Sequence, residues 1–261
     1  MLEQTPPLVR LRGVDKRFSN GTLALRGLDL DLRRGEFISL LGPSGCGKST
    51  ALRLLAGLGE PSAGRVEWTA PPQGNDAPPL SFVFQEPTLM PWRTVEANVR
   101  LPLQMQGIPR RDSAPRIAEA LARVGLAGFE RSYPRQLSGG MKMRVSIARA
   151  LVTRPTLLLM DEPFAALDEI TRGRLNDDLL SLWATQGLTI AFVTHSVFES
   201  VFLSSRILVM AARPGRVVAD IAIDAPYPRD EDFRTSETYS HYCRIVSAAL
   251  KQAMATHGEG A

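Results

Sequence analysis

The sequence predicts an α/β fold in which a core of alternating strands and helices is interrupted by a helical insertion. The first observation is an apolar run, Phe37–Leu41, that leads directly into the glycine-rich loop Gly42–Ser49 and is followed by a helical pattern. The second is an alternation of predicted strands and helices over 156–223. The third is the stretch between them, about 87–151, which has the pattern of helices.

The N-terminal part of the chain has the pattern of β-structure. Between Leu28 and Leu32 three leucines alternate with two aspartates, which is typical of a half-buried strand. A helix is predicted over 51–56, with Gly57 as its stop signal. Residues 70–79 are rich in Pro, Gly, Asn and Asp, so we expect a loop there.

The insertion and the second half of the chain also carry clear element signals. Apolar residues at helical spacing from Ile117 to Val124 predict a helix that follows a cap at Asp112 or Ser113 and stops at Gly125. The remaining predicted elements are strands at Ser81–Phe84, Thr156–Met160, Leu188–Thr194, Arg206–Met210 and Val217–Ile223, and helices at Ile170–Trp183 and after a Thr235 or Ser236 cap.

The composition is that of an ordinary globular enzyme. The 31 basic and 27 acidic residues give a net charge of +4, which weakly favours anionic partners and does not by itself indicate nucleic-acid binding. Two cysteines, Cys46 and Cys243, cannot form a disulfide framework, which favours a reduced, cytosolic protein. We see no run as long as a membrane span and no signal-peptide pattern, so we expect any membrane role to depend on a partner.

The glycine-rich loop is the strongest chemical signal. It matches the phosphate-loop pattern at all eight positions and is followed by Thr50: Gly42, Pro43, Ser44, Gly45, Cys46, Gly47, Lys48 and Ser49. Its glycines let backbone N–H groups turn towards a phosphate, and the next helix adds its positive N-terminal end. We expect Lys48 to bridge the β- and γ-phosphates and the Ser49 hydroxyl to bind Mg²⁺.

Two carboxylates follow a later apolar strand. Asp161 and Glu162 come directly after Leu157–Met160, at the end of the strand that faces the ligand crevice in an open α/β sheet. We expect Asp161 to hold Mg²⁺ and Glu162 to be the general base for an attacking water. His195 ends another strand at the same edge, which favours a γ-phosphate contact, whereas Gln85 after its strand would alone be a surface residue.

A second glycine-rich helix start stands at Leu137–Met141. Ser138 is a helix-capping residue, and Gly139 and Gly140 keep the first turn free of side chains. Because one nucleotide needs only one such cradle, this motif suggests that the protein also binds a nucleotide held by another copy of itself.

The order and spacing of these motifs resemble the ATP-binding subunits of ABC transporters, over about Leu8–Ile223. The resemblance implies an α/β fold with a P-loop NTPase (RecA-like) core, an N-terminal antiparallel β subdomain and an inserted helical subdomain that carries the signature motif. We expect the ATP-binding core at 1–86 and 152–225, the inserted subdomain at 87–151 and a C-terminal helical tail at 226–261.

The resemblance also implies roles for single residues. Phe18, where the family more often has Tyr, would stack on adenine, Gln85 would sense Mg²⁺ and the lytic water, and Asp168 would end the D-loop. Two ATP molecules would lie in a head-to-tail dimer, each between one phosphate loop and the partner's Ser138–Gly140 segment. The expected catalytic residues are Glu162, His195 (the switch histidine), Gln85 and Lys48, and the expected Mg²⁺ ligands are Ser49, Gln85 and Asp161.

A narrower resemblance links the chain to the nitrate, sulfonate and taurine group of bacterial importers. It is carried by the segment 85–99 and by the turn Arg213–Arg216. Three residues depart from the wider family's pattern: Met141 and Met143 replace glutamines on the signature helix, and Ser196 replaces an aspartate after the switch histidine. The two methionines leave the backbone N–H groups intact, so we expect them to tune binding and not to abolish it.

The leading functional hypothesis is a peripheral ATPase subunit at the cytoplasmic face of the membrane. It would drive a separate permease that imports a small anion, delivered by an extracytoplasmic solute-binding protein. The segment 87–99 would receive a permease helix, although Leu89, Met90 and Trp92 are explained nearly as well as subdomain core. The alternative is a non-transport ABC ATPase acting on nucleic acid or ribosomes, which the mild charge disfavours, so no nucleic-acid partner is expected. A nucleotide-binding regulator without hydrolysis is disfavoured by Glu162.

Overall fold

Two β-sheets organise residues 6–69 and 80–255, the part of the chain that the computed structural model describes. The strands are β1 (Pro7–Arg17), β2 (Leu23–Arg33), β3 (Phe37–Leu41), β4 (Ala63–Trp68), β5 (Leu80–Val83), β6 (Leu157–Asp161), β7 (Thr189–Thr194), β8 (Arg206–Ala211) and β9 (Arg216–Ala222). The helices are α1 (Lys48–Leu55), α2 (Val95–Met105), α3 (Arg110–Arg123), α4 (Gly139–Leu151), α5 (Glu169–Gln186), α6 (Val197–Leu203), α7 (Glu231–Thr235) and α8 (Glu237–Ala255).

The larger sheet has six strands in the order β5-β6-β7-β3-β8-β9. All of its pairs are parallel except β8 with β9. Strands β3 and β7 are buried along their whole length, as expected for parallel strands covered on both faces. Because the strands are parallel, the carboxyl ends of β3, β5, β6 and β7 lie at one edge of the sheet.

The smaller sheet is antiparallel, with the order β2-β1-β4. Leu28, Leu30 and Leu32 of β2 point into a core shared with α1 and with one face of the large sheet. This confirms the predicted strand and the predicted antiparallel β subdomain. The predicted helix after the phosphate loop is α1, and Gly57 has a left-handed backbone (φ 66°) just beyond its end. The predicted loop at 70–79 lies outside the described residues.

The insertion contains α2, α3, a short 3₁₀ turn at Pro134–Gln136 and α4. The expected start of α3 is wrong: the helix begins at Arg110, with Pro109 as its N-cap residue, and not after Asp112 or Ser113. Proline is well tolerated at a helix start, and the polar first turn carries no apolar periodicity that would reveal it. The helix ends as predicted, before Gly125 with φ 67°.

The C-terminal tail packs on the large sheet. Tyr239, Cys243 and Val246 of α8 belong to the same buried cluster as β8 and the insertion helices. The predicted cap is Ser236, whose Oγ accepts a hydrogen bond of 3.1 Å from the Tyr239 backbone N–H. Within the described residues no helix has both the length and the apolar character needed to cross a membrane.

Candidate nucleotide-binding site

The predicted site residues meet at the carboxyl edge of the large sheet. The phosphate loop follows β3, Asp161 ends β6, and Gln85 lies just after β5. They line one cavity of about 640 Å³. Of the residues predicted from the sequence, its walls include Phe18, Ser44, Gly45, Gly47, Lys48, Ser49, Thr50, Gln85, Asp161 and Glu162.

The backbone of the phosphate loop needs its glycines. Gly45 and Gly47 have left-handed backbones, with φ 74° and 96°. A Cβ atom on Gly47 would lie 2.7 Å from Leu25 Cδ2, and one on Gly42 would lie 2.6 Å from the Met210 carbonyl oxygen. The loop is thus a bare backbone cradle between β3 and α1, which suits a phosphate.

Lys48 brings a buried positive charge to this cradle. Its Nζ donates hydrogen bonds to the carbonyl oxygens of Gly42 (2.8 Å) and Pro43 (3.1 Å). The same nitrogen lies 3.6 Å from Glu162 Oε1. The ammonium group is therefore held inside the loop and faces the acidic pair.

Ser49 and Asp161 form the part of the site that fits Mg²⁺. The Ser49 hydroxyl donates a hydrogen bond of 2.8 Å to Asp161 Oδ1. Burial raises the pKa of Asp161, and the Ser49 hydrogen bond only partly opposes this shift. Hydroxyl and carboxylate oxygens are ligands that Mg²⁺ prefers, and a divalent cation would favour the ionised carboxylate. These residues therefore fit Mg²⁺ held together with phosphate oxygens.

Glu162 stands between the lysine and the predicted switch histidine. Its backbone is in the left-handed region (φ 45°), and its N–H donates to the Val193 carbonyl oxygen at 3.0 Å. Its Oε2 lies 3.5 Å from His195 Nδ1, and the His195 side chain is 58% exposed. Left-handed backbone is unusual for a residue other than glycine and often marks a functional position. His195 thus lies beside Glu162 but does not itself line the cavity.

The signature residues do not line this cavity. The Ser138 Oγ accepts a hydrogen bond of 3.2 Å from the Met141 N–H, so Ser138 is the N-cap of α4, and this helix start is exposed. Packing within the chain explains why position 140 is a glycine, because a Cβ atom there would lie 2.6 Å from Thr171 Cγ2. Met143 is buried in the core, which explains why an apolar residue replaces glutamine.

Two other predicted residues have structural roles that the sequence did not reveal. Asp168 is the N-cap of α5: its Oδ1 accepts a hydrogen bond of 2.9 Å from the Thr171 N–H, which lowers the pKa of Asp168. The Cys46 side chain is buried in the core, so only its backbone can face a phosphate. Ser196, the third departure, is the N-cap of α6 and accepts a hydrogen bond of 3.2 Å from the Glu199 N–H, a role that serine and aspartate share.

Sequence reasoning missed Arg213, which also lines the cavity. Its backbone is left-handed (φ 54°), and within the described residues its guanidinium has no hydrogen-bond or ion-pair partner. The turn is fixed against β2, since the Gly215 N–H donates to the Ala24 carbonyl oxygen at 2.9 Å. A Cβ atom on Gly215 would overlap the Cys46 carbonyl oxygen. The sequence shows the turn at Arg213–Arg216, but it does not show that this turn lies against the phosphate loop, because that contact joins distant parts of the chain.

Comparisons with known proteins agree with this geometry. The family described as ABC transporter matches residues 25–165. An uncharacterised ABC transporter ATP-binding protein of Methanocaldococcus jannaschii is 45% identical over 232 residues, covering 89% of this chain and 86% of the relative. The aliphatic sulfonates import ATP-binding protein SsuB of Bacillus cereus is 41% identical over 241 residues, covering 91% of this chain and 94% of the relative.

A solved structure shows the same fold. The dimeric structure of a bacterial ABC transporter cassette has a TM-score of 0.72 and 32% identity, and it covers 84% of this chain and 100% of the cassette. A post-hydrolysis state of that cassette, bound to ADP and Pi, matches equally well. The chain therefore belongs to the ABC transporter family, as an ATP-binding subunit of the ATP-hydrolysing kind that is coupled to transport.

Proposed function

We propose that two copies of this chain bind and hydrolyse ATP at a head-to-tail interface and thereby drive a separate membrane permease that imports a small anion. One observation carries the proposal. The catalytic half, around Lys48 and Glu162, lines one cavity, whereas Ser138 and Gly139 form an exposed helix start that does not reach it. The dimeric cassette with the same fold supports a second copy as the missing half.

Within one copy the phosphate loop binds the ATP phosphates. The backbone N–H groups of Gly45 and Gly47 and the start of α1 provide donors, and Lys48 provides the positive charge. Phe18, exposed on the same cavity wall, stacks on the adenine. We therefore expect Phe18 to mark the end of the cavity that holds the nucleoside.

Hydrolysis uses the acidic pair. Ser49, Asp161 and Gln85 would hold Mg²⁺, which when bound neutralises charge on the phosphate oxygens. Glu162 accepts a proton from the attacking water, and the Lys48 ammonium lies 3.6 Å from its carboxylate. His195, 3.5 Å from the other carboxylate oxygen, orients Glu162 and can donate to the phosphate.

The second copy completes the site through the start of α4. The first N–H groups of a helix lack partners within it, and here they emerge beside Ser138 and Gly139, both exposed. They can bind the γ-phosphate of an ATP molecule held by the other copy. The same closure brings Asp168 and its D-loop to the interface. Because the site is complete only when two copies meet, hydrolysis is coupled to their motion.

A surface groove beside α2 is the proposed contact for the permease. It has a volume of about 540 Å³, and its lining includes Phe84, Thr88 and Met105, the last 81% exposed. Trp92 is 73% exposed nearby in the chain, whereas Leu89 packs partly against the core. The groove thus begins just before Gln85, which would link a permease helix to the nucleotide site.

The transported substrate is proposed as an aliphatic sulfonate or a similar small anion. The sulfonate-import relatives support this choice. An extracytoplasmic solute-binding protein would deliver the anion, and the chain would sit at the cytoplasmic face as a peripheral subunit. An affinity for DNA or RNA that falls with salt would favour the alternative of a non-transport ATPase.

The test uses Glu162→Gln, which removes the base and keeps the phosphate contacts. We expect this variant to bind ATP, to lose about 100-fold or more of the hydrolysis rate, and to accumulate as an ATP-bound dimer in light scattering. Hydrolysis near the wild-type rate would disprove the role of Glu162. Ser138→Arg is the matched variant: it should bind ATP as a monomer, and ATP-dependent dimers of it would rule out the shared site.

A further inference from the structure

The helix that follows the switch histidine is short and depends on its surroundings. Helix α6 has seven residues, Val197–Leu203, and its N-cap residue Ser196 directly follows His195. A helix of this length is marginal by itself, and the last carbonyl groups of any helix lack partners within it. Among the described residues, the Ser200 carbonyl oxygen is the only one at the end of α6 that accepts a backbone hydrogen bond from just beyond the helix, from the Ser204 N–H at 3.1 Å.

The C-terminal tail supplies donors to the other carbonyl groups at this end. Arg229 Nη1 donates to the carbonyl oxygens of Val201 (2.9 Å), Phe202 (3.1 Å) and Ser204 (2.9 Å). The Tyr227 hydroxyl donates to the remaining one, that of Leu203, at 3.1 Å. A positive charge at a helix C-terminus also interacts favourably with the helix dipole.

The Arg229 side chain is buried and held at the end of α6. It is 4% exposed, and no carboxylate of the described residues lies within ion-pair distance of it. Its guanidinium carbon lies 4.1 Å from the Tyr227 ring centroid and 5.1 Å from that of Phe233. A buried charge without a counterion is costly unless dipoles surround it, so the carbonyl groups of α6 and the position of Arg229 stabilise each other.

The tail also holds the middle of α6. The Tyr239 hydroxyl of α8 donates to the Phe198 carbonyl oxygen at 3.1 Å. The Arg234 guanidinium carbon lies 3.5 Å from the centroid of the Phe202 ring. Tail residues therefore contact α6 at its centre and at its end, leaving Ser196 and His195 at the other end.

We propose that the tail from Tyr227 to Ala255 positions the switch histidine through α6, with Tyr227, Arg229 and Tyr239 as positioning residues. The proposal rests on the proposed ATP hydrolysis. The His195 side chain is largely exposed, and its only ion-pair contact among the described residues is the one with Glu162 at 3.5 Å. Its placement is therefore set by the backbone, by β7 on one side and α6 on the other. A displacement of about 1 Å at a catalytic group can lower a rate by about 100-fold.

The experiment compares three variants of the full chain, each of which removes one tail hydroxyl. Tyr227→Phe and Tyr239→Phe remove donors to α6. Tyr242→Phe is the control, because the Tyr242 hydroxyl accepts a hydrogen bond of 3.0 Å from the Asp224 N–H and not from α6. We expect the first two to lower the kcat for ATP hydrolysis about three- to tenfold with unchanged KM and ATP affinity, and Tyr242→Phe to keep the wild-type kcat.

A double-mutant cycle with His195→Ala separates positioning from general stability. If the tail acts through the histidine, Tyr227→Phe has no further effect on the residual rate of His195→Ala. An equal loss in both backgrounds would overturn the proposal, and so would an unchanged kcat of Tyr227→Phe and Tyr239→Phe with a lower Tm. Tyr239→Phe remains usable if Tyr227→Phe folds poorly, since the Phe198 carbonyl lies inside α6. ATP hydrolysis by the wild type tests the proposed function separately.

Discussion

Gly140 offers a test that separates packing within the chain from contact with a nucleotide of a second copy. A Cβ atom at this position would lie 2.6 Å from Thr171 Cγ2, about 1 Å inside the normal separation of two carbon atoms. Overpacking of this kind costs about 1–3 kcal/mol. The higher helix propensity of alanine offsets about 1 kcal/mol of this. We therefore expect Gly140→Ala to lower the free energy of unfolding by up to about 2 kcal/mol.

The compensating change is Thr171→Ser, which removes Cγ2 and keeps the hydroxyl. In the double variant the methyl group introduced at position 140 has room, so the stability should equal or exceed that of Thr171→Ser alone. Unfolding by urea is measured for the wild type, both single variants and the double variant, and gives the coupling energy directly. Hydrolysis of ATP and ATP-driven dimerisation are measured on the same four proteins.

Two results decide between the roles of Gly140. If the double variant recovers both stability and hydrolysis, the glycine serves the packing of α4 on α5. If stability recovers but hydrolysis and dimerisation do not, the glycine also leaves space for the nucleotide of the second copy. A double variant no more stable than Gly140→Ala would refute the packing argument.

Two further predictions concern charges in the cavity. Burial raises the pKa of Asp161, so its ionised form destabilises the fold above the unfolded-state pKa, and this effect disappears as the pH falls through the raised native pKa. Asp161→Asn should therefore raise the Tm at pH 7, with a smaller gain in Tm at acidic pH. The same variant should lose Mg²⁺-dependent hydrolysis. A Tm of the variant at or below that of the wild type at pH 7 would contradict this prediction. Arg213→Ala should raise the Kd for ATP about fivefold in equilibrium binding, because a charge-assisted contact with the nucleotide is lost. Arg216 lies outside the cavity, so Arg216→Ala is the control and should leave this Kd unchanged. Equal Kd values for the two variants would exclude Arg213 from the site.

The strands of the large sheet and the residues at its carboxyl edge could be predicted from the sequence because their signals are local. The apolar run Phe37–Leu41 leads directly into the phosphate loop, and Asp161 directly follows another such run. Parallel pairing then brings these ends together without any further information. Residues whose place depends only on the end of a strand could therefore be predicted by number.

Residues whose role depends on a distant partner could not be predicted in the same way. Thr171 explains Gly140, and the two are far apart in the chain, as are Arg229 and the end of α6 that it caps. The burial of Met143 could not be predicted because a single sequence does not show which face of α4 is buried. These contacts follow from how α4 packs on α5 and how the tail packs on α6, which no local periodicity encodes.

The isolated chain carries several features that are unfavourable by themselves. Asp161 is a partly buried carboxylate with a raised pKa, Glu162 has a left-handed backbone, and at the exposed start of α4 Ser138 caps only one of the N–H groups that lack partners within the helix. A divalent cation would offset the first, and a phosphate of a second copy's nucleotide would offset the last. Because the first and the last of these costs are removed by different components, ATP, Mg²⁺ and the second copy should strengthen one another's binding. Closure of the dimer would then depend on all three, and loss of the γ-phosphate would remove the contact that holds the copies together.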